Sequence, residues 1–275
     1  MTDDPAARVA DVFHRVADTY DAVGVDFFEP IAAGLVAELA PQPGERALDV
    51  GCGRGAALFR LAEAVGPTGH VAGIDVASGM VERTRADVVE AGLDGFVTVE
   101  VGDANAVPVP DAGFDVVASS LVLFFLTEPL VALLSWHDVL MPGGRLGVTT
   151  FGPFNDEWHD VERALRSYLP PEQRDPRTNT GGPFASDAGM EALVTQAGFV
   201  DVRTVTAIVE VRFDDHEHWY RWSMSHGQRQ LWESVPVEEL GRVRSDAVDA
   251  LHAAPRPDGR LGFDQQVRYT LARRA

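Results

Sequence analysis

Only one cysteine, Cys52, stands in 275 residues. No intrachain disulfide can form, and a reducing cytosol is the expected compartment. Positive charge is also scarce: 23 Lys and Arg against 42 Asp and Glu leave a formal net charge of −19. A surface of that sign repels nucleic acid and anionic membrane, so neither is an expected partner. Long apolar runs are missing. The segment Met1-Thr2-Asp3-Asp4-Pro5 is acidic, and nothing after it reads as a signal peptide or a spanning helix. No His/Cys/Asp group has metal-ligand spacing, since His216-x-His218 alone is too little, and no metal is expected. There is no Gly-x-Ser-x-Gly elbow and no Walker lysine. What remains is 45% hydrophobic, enough for one sizeable core with a cap.

The most informative stretch is Ala47-Leu48-Asp49-Val50-Gly51-Cys52-Gly53-Arg54-Gly55. An apolar run carrying an acid meets a glycine-rich turn, and a helical pattern follows over residues 56–65. This is strand, tight loop, helix. Glycines let the chain turn sharply and let a ligand approach the main chain. The helix that follows presents free N–H groups at its start. Gly51-x-Gly53-x-x-Ala56 also fits a loose dinucleotide fingerprint, so the loop alone implies only a nucleotide-like cofactor. Asp49 separates the readings. An acid two residues before the first glycine is awkward beside a pyrophosphate and suits a cofactor with a cationic amine. Cys52, inside the loop, reads as a small buried residue.

At this point the chain resembles the class I S-adenosylmethionine-dependent methyltransferases, whose motif is a strand followed by Asp/Glu-x-Gly-x-Gly-x-Gly; residues 49 to 55 match it in full. The small-molecule members, among them the ubiquinone- and menaquinone-pathway enzymes and those of bacterial natural-product pathways, are the nearest in pattern. The rest of the chain extends the likeness. His70 to Val76 reads as a second strand, and Asp75, 24 residues beyond Gly51, is placed to accept bonds from ribose hydroxyls. Ser78 is an expected cap for a helix over 79–91. Phe96 to Val101 is a third strand leading to Gly102-Asp103-Ala104. Phe114 to Ser120 is a fourth, and Met141-Pro142-Gly143-Gly144 turns into a fifth over 146–151. Thr127 is the expected cap of the intervening helix, 126–140. Strand/helix alternation from 46 to 150 argues for a parallel sheet covered on both faces, its cofactor crevice at the carboxyl ends of the strands.

The resemblance implies an α/β fold: a Rossmann-like, doubly wound, seven-stranded sheet with an antiparallel last strand, plus helical N-terminal and C-terminal caps. It implies S-adenosyl-L-methionine as cofactor and S-adenosyl-L-homocysteine as product. The cofactor residues it points to are Asp49, Gly51, Gly53, Asp75, Val76, Met80 against the adenine, Asp103 on the adenine amino group, Ala104 and Ser119. Tyr20, of a Tyr20-Asp21 pair that often closes over the site, joins them. Tyr20 is equally the last residue of an apolar helical face that includes Val9, Val12, Phe13 and Val16.

The expected divisions are a helical cap over 1–44, the cofactor core over 45–151, a lid segment over 152–185, and the rest of the sheet over 186–275. The last contains an insertion at 212–262, where related chains have a short connection. Trp219, Tyr220, Trp222, Met224, His226 and Trp232 fall in it, expected on two helices, 215–233 and 236–253. They serve either an apolar substrate pocket or the insertion's own small core.

Two departures bear on the acceptor. Phe124-Phe125 stands where the quinone-pathway relatives often carry His-His, which removes an imidazole there. Ser119-Ser120-Leu121-Val122 replaces the Asn/Asp-Pro-Pro-aromatic signature of enzymes that methylate nucleic-acid bases or protein amides. A small, fairly apolar metabolite of bacterial secondary metabolism remains, with O-methylation the commonest outcome. Methyl transfer needs alignment and exclusion of water more than a catalytic group. His159 is the candidate base, with His14 and His226 behind it. Two other readings stay open: a protein that binds the cofactor without methyl transfer, acting as a cyclase or a binding protein, and a nicotinamide oxidoreductase. A monomer or homodimer is expected.

Overall fold

The computed structural model describes residues 5–110, 112–153, 165, 166, 168, 181–252 and 261–275. Strand β1 (Arg46–Val50) lies at the centre of the sheet and is buried along nearly its whole length. It pairs in parallel with β2 (His70–Asp75) on one side and β4 (Phe114–Ser120) on the other. The β3 strand (Val97–Val101) extends the sheet beyond β2, and β5 (Leu140–Phe151) extends it beyond β4. Two long antiparallel strands, β6 (Val200–Phe213) and β7 (Leu261–Arg273), complete the order β3-β2-β1-β4-β5-β7-β6. The seven-stranded sheet with its antiparallel last strand is the architecture the sequence implied. Strands buried on both faces explain the continuous apolar runs, such as Val116-Val117-Ala118.

After β1 the chain winds outward through β2 and β3, then returns to place β4 on β1's other side. The strand order therefore reverses between β1 and β4, where a doubly wound sheet opens a crevice at its carboxyl ends.

Helices α1 (Pro5–Val16) and α2 (Phe28–Leu39) precede the sheet, and α3 (Ala56–Val65), α4 (Ser78–Glu90) and α5 (Pro129–Val139) connect its strands. Helix α1 is shorter than its apolar pattern predicts. It stops at Val16, and the chain continues in turns to Asp21, which has φ of 56°. Two expected caps are corrected. Ala77, not Ser78, precedes α4, because Asp75 Oδ1 already accepts the Ala77 N–H at 2.8 Å. Glu128, not Thr127, precedes α5, whose start is set by Pro129 after a 3₁₀ turn at Leu123–Phe125. The Met141–Gly144 turn survives inside β5 as an excursion. Leu140 pairs with Phe114 and Arg145 with Val116, so the residues between bulge out of register.

Helix α6 (Asp187–Gln196) leads into β6, with the Ser186 hydroxyl accepting the Gly189 N–H. The insertion forms α7 (His216–Met224), α8 (Arg229–Glu233) and α9 (Leu240–His252). The expected first helix is thus broken after Met224, around Gly227. Its tryptophans divide by role. Trp219 and Trp232 meet edge to face at 5.7 Å, and the Trp232 indole N–H donates to Ser223 Oγ at 2.8 Å, so this pair builds the insertion's own core. Trp222 instead packs on Phe27 at 5.3 Å and on Phe263 at 5.9 Å, joining the insertion to the strand ends.

Candidate active site

The glycine loop is shaped by hydrogen bonds its own sequence makes possible. The N–H groups of Gly51 and Cys52 both donate to the Ile74 carbonyl, at 2.8 and 2.9 Å, folding the loop onto the end of β2. Asp75 Oδ2 accepts the Gly53 N–H at 2.9 Å, and the buried Thr84 hydroxyl donates to the Gly53 carbonyl at 2.7 Å. Arg54 ties the loop to the N-terminal cap. Its guanidinium donates to the Ala17 carbonyl at 2.7 Å and pairs with Asp87 at 2.5 Å.

A cavity of about 290 Å³ opens beside this loop at the β1/β4 reversal. Tyr20, Asp49, Gly51 and Gly53 line it, as do Asp21, Phe28 and Ser120. The other expected cofactor residues stand outside that lining. Asp75 is bonded to the loop through the Gly53 N–H. Val76 is exposed beyond β2. Met80 is fully buried against Val16, Ala17 and Ala77. Asp103 accepts the Asn105 N–H at 2.8 Å in the turn after β3, and the Ala104 carbonyl accepts the Trp136 indole N–H at 2.8 Å. Ser119 is buried, its hydroxyl donating to the Val50 carbonyl at 3.0 Å, while its neighbour Ser120 faces the cavity.

The cavity is electrostatically acidic. Asp49 is 1% exposed, and burial first, then the Asp75 carboxylate, pushes it up to about 7, against a backbone hydrogen bond from Leu58. Asp21 is raised to about 6 by burial, then by Asp26 and Glu29, with Arg54 opposing. Burial, helped by the carboxylates of Asp21 and Asp75, holds the Tyr20 phenol well above its usual range. Asp21, the other half of the Tyr20-Asp21 pair, is not among the cofactor residues the resemblance points to, yet it lines the cavity; the cluster Asp21, Asp26, Glu29 is its signal in the sequence.

Among the described residues Asp49 Oδ2 is buried without a hydrogen-bond partner. Gly53 has φ of +48°, and a Cβ there would meet nothing within 4 Å. An orphaned carboxylate oxygen and an open glycine cradle, side by side, fit a ligand that brings a cationic amine and lies along the main chain. S-Adenosyl-L-methionine is such a ligand.

Of the candidate bases, His159 lies outside the described residues. His14 is exposed and accepts the Gly79 N–H at 3.1 Å, which fastens α1 to α4. His226 is buried in the insertion. Among the described residues no group of three or more His, Cys, Asp or Glu is placed to hold a metal ion, and no helix is long and apolar enough to cross a membrane.

Comparison with known proteins agrees with this geometry. Residues 41–214 match the family model of the methyltransferase domain. The nocamycin O-methyltransferase of Saccharothrix syringae is 38% identical over 262 residues, spanning 90% of this chain and 92% of that one. Aklanonic acid methyltransferase DauC of Streptomyces sp. (strain C5) is 43% identical over 175 residues, 61% of this chain and 79% of that one. In fold, the crystal structure of the YcgJ protein from Bacillus subtilis superposes with a TM-score of 0.59 at 18% identity, covering 88% of this chain and 97% of that one. The chain belongs to the class I S-adenosyl-L-methionine-dependent methyltransferases.

Proposed function

We propose that this enzyme O-methylates a small, fairly apolar metabolite of bacterial secondary metabolism. The observation that carries the proposal is the set of aromatic rings linking the cofactor crevice to the insertion. Tyr20 and Phe28, both on the cavity wall, lie 4.7 Å apart. Phe28 abuts Phe27 at 4.9 Å, and Phe27 meets Trp222 of the insertion at 5.3 Å. Phe125 and Phe124 lie 4.7 Å apart in the turn after β4, and Phe124 lies 5.2 Å from Phe151 at the end of β5. An acceptor at the strand ends is thus met by ring faces and edges, which favour flat apolar molecules. The names of the two relatives, one an O-methyltransferase and one acting on aklanonic acid, support the same reading.

When bound, S-adenosyl-L-methionine supplies an electrophilic methyl group on a sulfonium. Asp49 and Asp21 would hold its amine, Asp75 its ribose, and Gly51 and Gly53 would let it lie against the loop. Tyr20 and Phe28 would close over it and exclude water. The cyclase and binding-protein alternative has no support in these two relatives, both named for methyl transfer.

The test is incubation of the protein with methyl-deuterated S-adenosyl-L-methionine and a small-molecule extract of a natural-product-producing bacterium, followed by mass spectrometry. A labelled product with the label on oxygen supports the proposal. A label on nitrogen or carbon replaces O-methylation with another acceptor atom.

A further inference from the structure

His226 sits where the chain turns between α7 and α8, in an unusual setting. It is 8% exposed, and no charged group among the described residues acts on its titration. Its ring lies 4.4 Å from Trp222 and 5.7 Å, edge to face, from Phe28, which lines the cofactor cavity. A Cβ on the next residue, Gly227, would lie 3.7 Å from Phe13 of α1, so this turn closes on the cap as well as on α2.

The two ring nitrogens are not equivalent. The Gln228 backbone N–H donates to Nδ1 at 3.4 Å, so Nδ1 must keep its lone pair. In the neutral ring the proton then belongs to Nε2. That atom is buried and has no hydrogen-bond partner among the described residues. A buried N–H left unpaired is costly, and such groups are commonly completed by a ligand. Burial also drives the imidazole down to about 3, so it stays neutral at physiological pH.

Resting on the methyltransferase reading above, we propose that His226 is a neutral hydrogen-bond donor to the methyl acceptor, its Nε2–H binding an acidic oxygen group that reaches the site already ionised: an enolate, an acidic phenolate or a carboxylate. His226 cannot be the general base. Its one lone pair is held by Gln228, and protonating the ring would set a second N–H against that donor. An ionised acceptor needs no base. Its oxygen lone pair becomes the new oxygen–carbon bond, the carbon–sulfur pair stays with sulfur, and no proton moves. The acceptor's negative charge and the sulfonium's positive charge cancel as the bond forms. Each also offsets the other's desolvation in a site walled by rings.

The test uses protein labelled with ¹⁵N-histidine, S-adenosyl-L-homocysteine, and two probes of one shape: 2-naphthoate and the neutral 2-naphthalenemethanol. Long-range ¹H–¹⁵N spectra, with His226 assigned from the His226→Gln variant, should show the Nε2–H tautomer. The Nε2–H proton should move downfield with 2-naphthoate and stay in place with the alcohol. His226→Phe should weaken 2-naphthoate binding by ~10–100-fold, His226→Gln by less, and both should bind S-adenosyl-L-homocysteine like the parent, which establishes that they fold. An Nδ1–H tautomer, or equal responses to the two probes, or no response to 2-naphthoate in protein that binds S-adenosyl-L-homocysteine, overturns the role of His226. Failure to bind S-adenosyl-L-homocysteine overturns the underlying methyltransferase reading instead.

Discussion

The carboxylate of Asp75 accepts the backbone N–H of Gly53 at 2.9 Å, so the acid proposed for the ribose also sets the curvature of the glycine loop. Its other oxygen accepts the Ala77 N–H at 2.8 Å. One side chain thus joins the loop, the end of β2 and the start of α4.

Asp75→Ala should therefore weaken S-adenosyl-L-methionine binding twice over, through the lost ribose contact and through a loosened loop. Charge-assisted hydrogen bonds contribute ~1.5–3 kcal/mol each, so a loss of at least tenfold is expected by calorimetry. Asp75→Asn keeps one acceptor oxygen and should fall between. Unchanged affinity in the alanine variant would remove Asp75 from the site.

The glycines of the loop should separate stability from binding. A Cβ on Gly51 would lie 2.9 Å from Val122 Cγ1 and nearer still to Cγ2, in a residue at φ +72°. Gly51→Ala should therefore destabilise the fold, measured as a lower thermal midpoint, by ~1–3 kcal/mol. A Cβ on Gly53 meets open space, so Gly53→Ala should cost only the ~1–2 kcal/mol of a left-handed residue. Its larger effect should be on cofactor affinity, because the new methyl stands in the proposed cradle. Equal effects of the two substitutions on binding would show that the cradle is misplaced.

The loop was legible because its chemistry is local: Asp49, three closely spaced glycines and the start of α3 lie within one turn of chain. The sheet followed from strand runs punctuated by Gly and Pro. Other features depend on partners far away in sequence. Ser119 and Ser120 are adjacent in a strand, so only one of them can face the crevice, and no local pattern says which. Strand β6 runs on to Phe213 and β7 begins at Leu261, both inside the bounds expected for the insertion, because the two strands pair with each other as far as Phe213 and Leu261. The insertion's helices broke at Gly227 because that turn must fit against Phe13.

Arg268 illustrates such a distant partnership, and it predicts a large stability loss. It is 3% exposed on β7. It pairs with Asp187 at 2.6 Å and donates to the carbonyls of Phe151, at 2.7 Å, and Phe184, at 2.9 Å. It thereby pins the end of β5 to the chain as it re-enters α6. Asp187 is half exposed, so the ion pair itself is screened, and the buried carbonyls carry most of the effect. Arg268→Met should lower stability by about 3 kcal/mol in urea unfolding. Arg268→Lys should recover little, since one ammonium cannot reach all three acceptors. A lysine variant as stable as the parent would refute this.

Stability against pH gives the last prediction, because two buried groups act in opposite directions. Asp49 has an ordinary value of 3.8 and sits at about 7 in the fold. Between those values the folded protein keeps a proton that the unfolded chain has released, so stability falls as pH rises through that window. Asp21, at about 6, adds to the fall. His226 runs the other way, from 6.5 down to about 3. Between those values the unfolded chain takes up a proton that the folded protein refuses, so stability rises with pH. Between about pH 4 and 6 the two carboxyls outweigh the histidine, so the parent loses stability as pH rises. Asp49→Asn leaves Asp21 and His226 opposed and should flatten the curve there. His226→Phe should steepen the fall, tilting the same curve further downward. A cofactor amine held by Asp49, as proposed, favours its anion, so added S-adenosyl-L-methionine should stabilise the parent more above about pH 7 than below it. That pH dependence should weaken in Asp49→Asn and shift to the lower range of Asp21. Urea midpoints across this range provide the measurement, and parallel curves for parent and variants would show that neither group is held away from its ordinary value.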